Sequence, residues 1–274
     1  MKFFGKKKAP RSDAGQIALC LGGGGARGYA HIGALRAFEE NGIDFKLCVG
    51  TSVGAIVGAL YAAGVKAAEM EEIGDALDLK DIRSGFILTP DDPLKIGRIV
   101  TNILGDADIG DFPKRFAAVA VDLVEGKQVI LDSGRAGLAC SASACVPMFF
   151  RPVIDGDRHL VDGGLLNNIP ADVCRMLGAK KVVSVDINPT RGGGTAELGL
   201  IDVLKATFSI MGANASINGI RQSDVLIAPD LSRFRATRKD GHDEMIEIGY
   251  NAALEHIDEI KALFADSAGK GAGK

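Results

Sequence analysis

An α/β fold with a mainly parallel central sheet flanked by helices is what this sequence predicts, on three observations. Short apolar, β-rich runs alternate along the chain with helical patterns, as βαβ units require. Of the 274 residues, 47% are hydrophobic, only 5% are aromatic and 36 are glycines, which suits a layered core with many tight turns rather than a disordered chain. The length is within what one α/β domain can bury around a single core.

Residues 1–15 read as a flexible tail with Lys6, Lys7 and Lys8 as its basic cluster, and 267–274, "SAGKGAGK", read as a second tail; neither can bury a core. The domain is expected over 16–266. Its first strand is drawn at Ile17–Leu21, followed by Gly22, Gly23, Gly24 and Gly25 and by a helix after Arg27 and Gly28. A second strand at Phe45–Val49 leads into "GTSVGA" and a helix whose Ile56, Ala59 and Leu60 suit a buried face. Strands follow at Phe116–Val121 and Gln128–Leu131, then a hairpin turning at Asp155–Arg158 and returning along His159–Val161, then Val182–Ile187 and Val225–Ala228. The last element is one long helix: Ile246, Tyr250, Ala253, Ile257, Ile260 and Phe264 are spaced by three and four and form a single apolar stripe, read as packing on the sheet rather than holding a partner.

A net charge of -3 with basic residues spread along the chain excludes nucleic acid as the main partner. The five cysteines, Cys20, Cys48, Cys140, Cys145 and Cys174, show no metal-ligand spacing and suit a reducing compartment. No stretch fits a signal peptide or an 18-residue apolar span, and bulky Leu19 before Cys20 excludes a lipoprotein cleavage site. A cytoplasmic protein is expected. Neither metal nor cofactor is called for.

The glycine-rich turn between strand and helix exposes backbone N–H groups where a helix dipole favours an anion. Gly23, Gly25 and Gly28 also fit the dinucleotide pattern G-x-G-x-x-G, but Asp44 precedes the second strand instead of ending it, so the acidic residue a ribose needs is absent. Close strand–helix packing is the purely structural alternative. Further on, Gly50-Thr51-Ser52-Val53-Gly54 fits G-x-S-x-G in strand–turn–helix context, the setting in which flanking glycines permit a sharp elbow and lift a serine hydroxyl out of the sheet.

Ser52 needs a base. An α/β-hydrolase would supply His242 or His256, yet His242 sits in the polar turn "KDGHDEM" and His256 within the final helix. Asp162 is the better candidate. It ends the returning strand before Gly163 and Gly164, and the two-residue period of a strand turns His159 to the opposite face.

Glycine-rich turn, G-x-S-x-G and D-G-G, in that order, resemble the patatin-like phospholipases. The resemblance covers about 16–230 and extends to "FAAVAVDLVEGKQVIL" and "ACSASACVPMFFRPV". It implies a three-layer patatin-like architecture and a lipid acyl hydrolase with Ser52 as nucleophile and Asp162 as base of a Ser-Asp dyad. Gly23, Gly24, Gly25 and Arg27 fall in the oxyanion loop, Arg27 as an anchor, with Gly50, Gly54, Gly163 and Gly164 as the elbow and turn glycines. Three positions depart from the pattern: Cys145 and Met148 stand where a smaller hydroxyl residue and a glycine are expected, and Ser141 where a basic residue is common. These bear on the acyl pocket.

The implied substrate is a lipid or lysophospholipid ester. "GFILTP" at Gly85–Pro90 and "MFF" at Met148–Phe150 are candidates for an apolar mouth, and Phe3, Phe4 and the three lysines for contact with an anionic membrane. The alternatives from other classes are a Ser-His-Asp esterase and a non-catalytic lipid-binding regulator on the same fold.

Overall fold

The computed structural model describes residues 17–76, 90–188, 199–236 and 238–269. Within them eight strands form one sheet: β1 (Ile17–Leu21), β2 (Leu47–Thr51), β3 (Arg115–Asp122), β4 (Lys127–Leu131), β5 (Val153–Asp155), β6 (Arg158–Asp162), β7 (Lys181–Val185) and β8 (Val225–Ile227). The described helices are α1 (Tyr29–Glu40), α2 (Val53–Ala63), α3 (Ala67–Ala76), α4 (Leu94–Leu104), α5 (Ala136–Ala144), α6 (Ala171–Met176), α7 (Leu200–Gln222), α8 (His242–Leu254) and α9 (Ile257–Gly269). β8, β7, β1, β2 and β3 run parallel, while β4 and the β5–β6 hairpin add antiparallel pairings at β3.

Period-2 alternation sorts the strand residues into two cores and so makes three layers. Leu19, Leu21, Cys48, Phe116 and Ala118 face the larger core with α1 and α2, whereas Ala18, Cys20, Leu47, Val49, Ala117 and Val119 face the smaller one with Ile169, Val173 and Cys174. All five cysteines are buried and unpaired.

The second strand begins two residues later than expected, at Leu47. Phe45 is a core anchor ahead of the ladder: its N–H donates to the Tyr61 hydroxyl at 2.8 Å, and its ring meets Phe38 and Phe264 with centroids 5.3 and 5.5 Å apart. The expected single C-terminal helix is two helices, interrupted at Glu255 and His256. The break redirects α9 so that Phe264 reaches Phe45, and α8 lies on α1 instead of the sheet. That crossing is so close that a Cβ at Gly33 would fall 1.9 Å from Ile246 O and one at Gly249 2.0 Å from Ala30 O. α9 runs to Gly269, three residues into the expected tail.

One topological detail builds the site. β4 pairs β3 from Ala118 to Asp122, overlapping the stretches paired by β2 (Arg115 to Val119) and by β6 (Ala120 to Asp122). A strand has two edges, so β2 and β6 share the one that β4 leaves. They meet there head to head, Thr51 opposite Val119 and Asp162 opposite Ala120.

Candidate active site

Ser52 sits where β2 turns into α2, with φ 56° and ψ -126°, a conformation that L residues rarely adopt. The glycines on either side make the turn feasible. A Cβ at Gly50 would lie 2.2 Å from Gly54 O, and one at Gly54 would lie 2.2 Å from Leu21 O. Ser52 occupies the N-cap position, yet its hydroxyl does not cap the helix. Its N–H donates to the Ser143 hydroxyl at 2.9 Å, which donates in turn to Val119 O at 2.6 Å, so α5 ties the elbow to the centre of β3.

Asp162 ends β6 only 3% exposed, and its Oδ1 accepts the Gly164 N–H at 2.8 Å. Burial pushes its carboxyl up to about 6, against the Ser52 hydroxyl and the Gly164 N–H, which favour the charged form. A carboxylate so shifted is a far better proton acceptor than an ordinary aspartate, and Ser52 is its side-chain neighbour. Gly163 lets the turn settle on β3, since a Cβ there would lie 2.3 Å from Val119 O.

The glycine-rich loop stands beside the pair. A Cβ at Gly23 would come within 3.1 Å of the Ser52 Cβ. The loop's N–H groups are not equivalent: Gly23 donates to Asn168 O at 3.1 Å, Ala26 to Ala236 O at 2.8 Å and Arg27 to Gly24 O at 3.4 Å. Those of Gly24 and Gly25 have no backbone acceptor among the described residues, and Val53, at the first position of α2, presents another N-terminal N–H. The Arg27 side chain anchors the loop, donating from Nε to Phe234 O at 3.0 Å and from Nη1 to Asn188 Oδ1 at 2.9 Å. Burial lowers its guanidinium's proton affinity, against the attraction of Asp186.

Ser143, Asn167 and Asn168 belong to this assembly although the sequence singled out none of them. Asn168 Nδ2 reaches Ser216 Oγ at 3.3 Å and Gly23 O at 3.5 Å, and Asn167 O accepts the Thr51 hydroxyl at 2.9 Å. Their sequence signal is slight: adjacent asparagines in "NNIP" that the fold buries.

No histidine bonds Ser52 or Asp162 among the described residues. His31 is buried with Nε2 on Gly22 O at 2.8 Å, His159 is exposed, His242 Nε2 bonds Asp75 at 2.8 Å, and His256 Nδ1 bonds Glu259 at 3.2 Å. His256 lies in the turn between α8 and α9, not inside a helix as expected. Asp75, His242 and Asp243 bring potential metal-ligand atoms within 4.8 Å of one another, with both carboxylates exposed and His242 half-buried.

The three departures have physical correlates. Met148 takes φ 76°, the left-handed region where glycine is expected. Ser141 is packed so tightly that a Cβ at Gly97 would lie 2.5 Å from its hydroxyl, leaving no room for a basic side chain. Cys145 donates from Sγ to Leu160 O at 3.2 Å, its carbonyl accepts the Asp162 N–H at 3.1 Å, and burial pushes its thiol up to about 12. Of the expected apolar mouth, Phe150 is buried and Met148 and Phe149 are half-buried; 85–89 and the N-terminal tail lie outside the described residues.

A family model described as "Patatin-like phospholipase" matches residues 19–175. An NTE family protein of Mycobacterium tuberculosis is 36% identical over 191 residues, covering 66% of this chain and 52% of the relative. A second from that species is 29% identical over 275 residues, covering 86% and 46%. Patatin-like phospholipase domain-containing protein 6 of Mus musculus is 34% identical over 186 residues, covering 62% and 13%. The chain thus spans about half the length, or less, of these curated relatives. VipD from Legionella pneumophila shares the fold, with a TM-score of 0.59 at 13% identity over 90% of this chain and 67% of that one.

Proposed function

This chain belongs to the patatin-like phospholipase family, and from that premise we propose that it hydrolyses acyl esters of lipids, phospholipids or lysophospholipids among them, through Ser52 and Asp162. The observation that carries the reading is the buried Asp162 carboxyl, raised to about 6 with the Ser52 hydroxyl as its side-chain partner.

Asp162 accepts the Ser52 proton as Oγ attacks the ester carbonyl. The N–H groups of Gly24 and Gly25, with Val53 at the helix start, receive the charge that develops on the carbonyl oxygen. Collapse breaks the ester bond, and Asp162 returns the proton to the departing alcohol, leaving an acyl group on Ser52. Water then attacks this acyl-serine while Asp162 takes its proton; the fatty acid leaves and the Ser52 hydroxyl is restored. Gly23 serves by close approach, its own N–H being engaged by Asn168, and Arg27 holds the loop in place. The lack, among the described residues, of any histidine bonded to the pair favours the dyad over a Ser-His-Asp triad.

The test is a fluorophosphonate probe followed by peptide mapping, with a total lipid extract as substrate in parallel. The expected outcome is an adduct on Ser52, and fatty acid release that the Ser52→Ala protein lacks. Equal labelling or release by Ser52→Ala rejects the mechanism.

A further inference from the structure

The Gly24 N–H belongs to the peptide unit that begins at the Gly23 carbonyl. A trans peptide is planar, with its C=O and N–H pointing in opposite directions, so whatever grips Gly23 O sets the direction of the Gly24 N–H. Gly23 O faces two side-chain amides: Asn188 Nδ2 donates to it, and Asn168 Nδ2 reaches it at 3.5 Å. The preceding peptide is clamped as well. Gly22 O meets His31 Nε2 at 2.8 Å, and the Gly23 N–H donates to Asn168 O at 3.1 Å.

Asn188 lies three residues past the end of β7, on a stretch fixed beside the glycine loop. Gly22 donates to Val185 O at 3.0 Å, and the Asn188 N–H donates to Oδ1 of the buried Asp186 at 2.9 Å. Ile187 between them packs on Gly24, where a Cβ would fall 2.6 Å from Ile187 Cδ1 and 3.4 Å from Asn188 Nδ2. The Asn188 amide has one orientation only. Its Oδ1 accepts from Arg27 Nη1 at 2.9 Å, and a guanidinium only donates; its Nδ2 faces a carbonyl, which only accepts. The bonds therefore run one way, from the Arg27 cation to the Asn188 amide, on to the Gly23–Gly24 peptide and out through the Gly24 N–H. Each bond in such a chain polarises the next, so a charge at one end strengthens the donor at the other.

We propose that Asn188 is a positioning residue for the oxyanion: it aims the Gly24 N–H and, by passing on the pull of Arg27, makes that N–H a stronger donor to the charge that develops on the carbonyl oxygen. Arg27 then acts on the reaction through Asn188, besides anchoring the loop at Phe234 O. The effect belongs to kcat, because an oxygen gaining negative charge profits more from a stronger donor than a neutral ester carbonyl does. The inference rests on the reading of Ser52 as nucleophile and of the Gly24 N–H as oxyanion donor.

Two variants of the full chain separate the bonds. Asn188→Leu removes both at similar volume, whereas Asn188→Asp keeps an acceptor for Arg27 and has no donor for Gly23 O. Folding is checked by circular dichroism, and Asn188→Ala replaces Asn188→Leu if that variant does not fold. On a soluble short-chain aryl ester both variants are expected to lose at least about tenfold in kcat, with KM within about twofold of the parent. In amide NMR spectra of the isotope-labelled chain the Gly24 nitrogen should move upfield in both, because a donor on the preceding carbonyl deshields it. A loss in Asn188→Leu alone means that the bond from Arg27 suffices, and overturns the proposal in favour of a simple loop anchor. A loss in Asn188→Asp alone is the effect of an added charge, and a loss carried by KM is uniform binding; either overturns it too. Unchanged kcat in both variants, with a fluorophosphonate still labelling Ser52, overturns the proposal and leaves the dyad standing. A parent chain that hydrolyses no ester, while the Gly24 signal answers to both variants, removes the catalytic reading and leaves the orientation of Gly24 by Asn188 standing.

Discussion

Replacing Asp162 by Asn should make the protein inactive and more stable at once. The amide oxygen still accepts the Gly164 N–H that now meets Oδ1 at 2.8 Å, so the turn should hold. What disappears is a buried charge. In the unfolded chain Asp162 ionises near the ordinary aspartate value of about 3.9. In the native protein burial holds it at about 6. The folded state therefore binds more protons between these values, and native stability falls as pH rises through that window, the loss being complete above about 6. About two pKa units at 1.36 kcal/mol each give a cost of about 3 kcal/mol at pH 8, absent below about pH 4 and absent from the amide. Ester hydrolysis should drop about 100- to 10,000-fold in the same variant, because no group remains to take the Ser52 proton. The assays are urea unfolding of both proteins at pH 4 and pH 8, and turnover of a short-chain aryl ester. An Asp162→Asn protein that is less stable at pH 8 by a margin unchanged at pH 4, or one that keeps turning over ester, refutes the reasoning.

The wild-type kcat/KM should rise with pH along a limb centred near 6, where Asp162 loses its proton, and a limb centred near 4 in a stopped-flow pH series would contradict the burial effect. His31 should act on stability in the opposite sense: burial pulls it down to about 4, so native stability falls as pH falls from about 6.5 toward 4, and urea midpoints of His31→Gln should lack this component, worth about 3 kcal/mol. Ser143→Ala leaves the buried Ser52 N–H without its acceptor; fluorophosphonate labelling of the folded variant should slow by about tenfold or more, and unchanged labelling would mean that the elbow holds itself. At Met148, φ 76° suits Gly and punishes a β-branched residue, so Met148→Gly should exceed Met148→Val in unfolding free energy by about 2 kcal/mol, and equal stabilities would contradict the left-handed backbone.

The sequence determined the layered fold and the three short segments from which the site is made. β1 matches the expected strand residue for residue, and the Gly22–Gly25 turn, the Ser52 elbow and the Asp162 turn each follow a strand as expected, because apolar runs, two-residue alternation and glycine-rich turns are local properties of the chain. Only the tertiary structure decided how these segments meet. That Ser52 and Asp162 face each other follows from β2 and β6 abutting along one edge of β3, a register imposed by β4 on the other edge. The N–H groups of the glycine loop became unequal because Asn168 O captured that of Gly23, and Ser143 reached the elbow across 91 positions of sequence. The C-terminal stripe was periodic enough to read as one helix, yet it broke so that Phe264 could meet Phe45, and Met148 was held at positive φ by the surrounding chain. Periodicity records which face of an element is apolar. It carries no record of the distant partner that will cover that face, nor of which hydrogen-bond donors that partner will leave free.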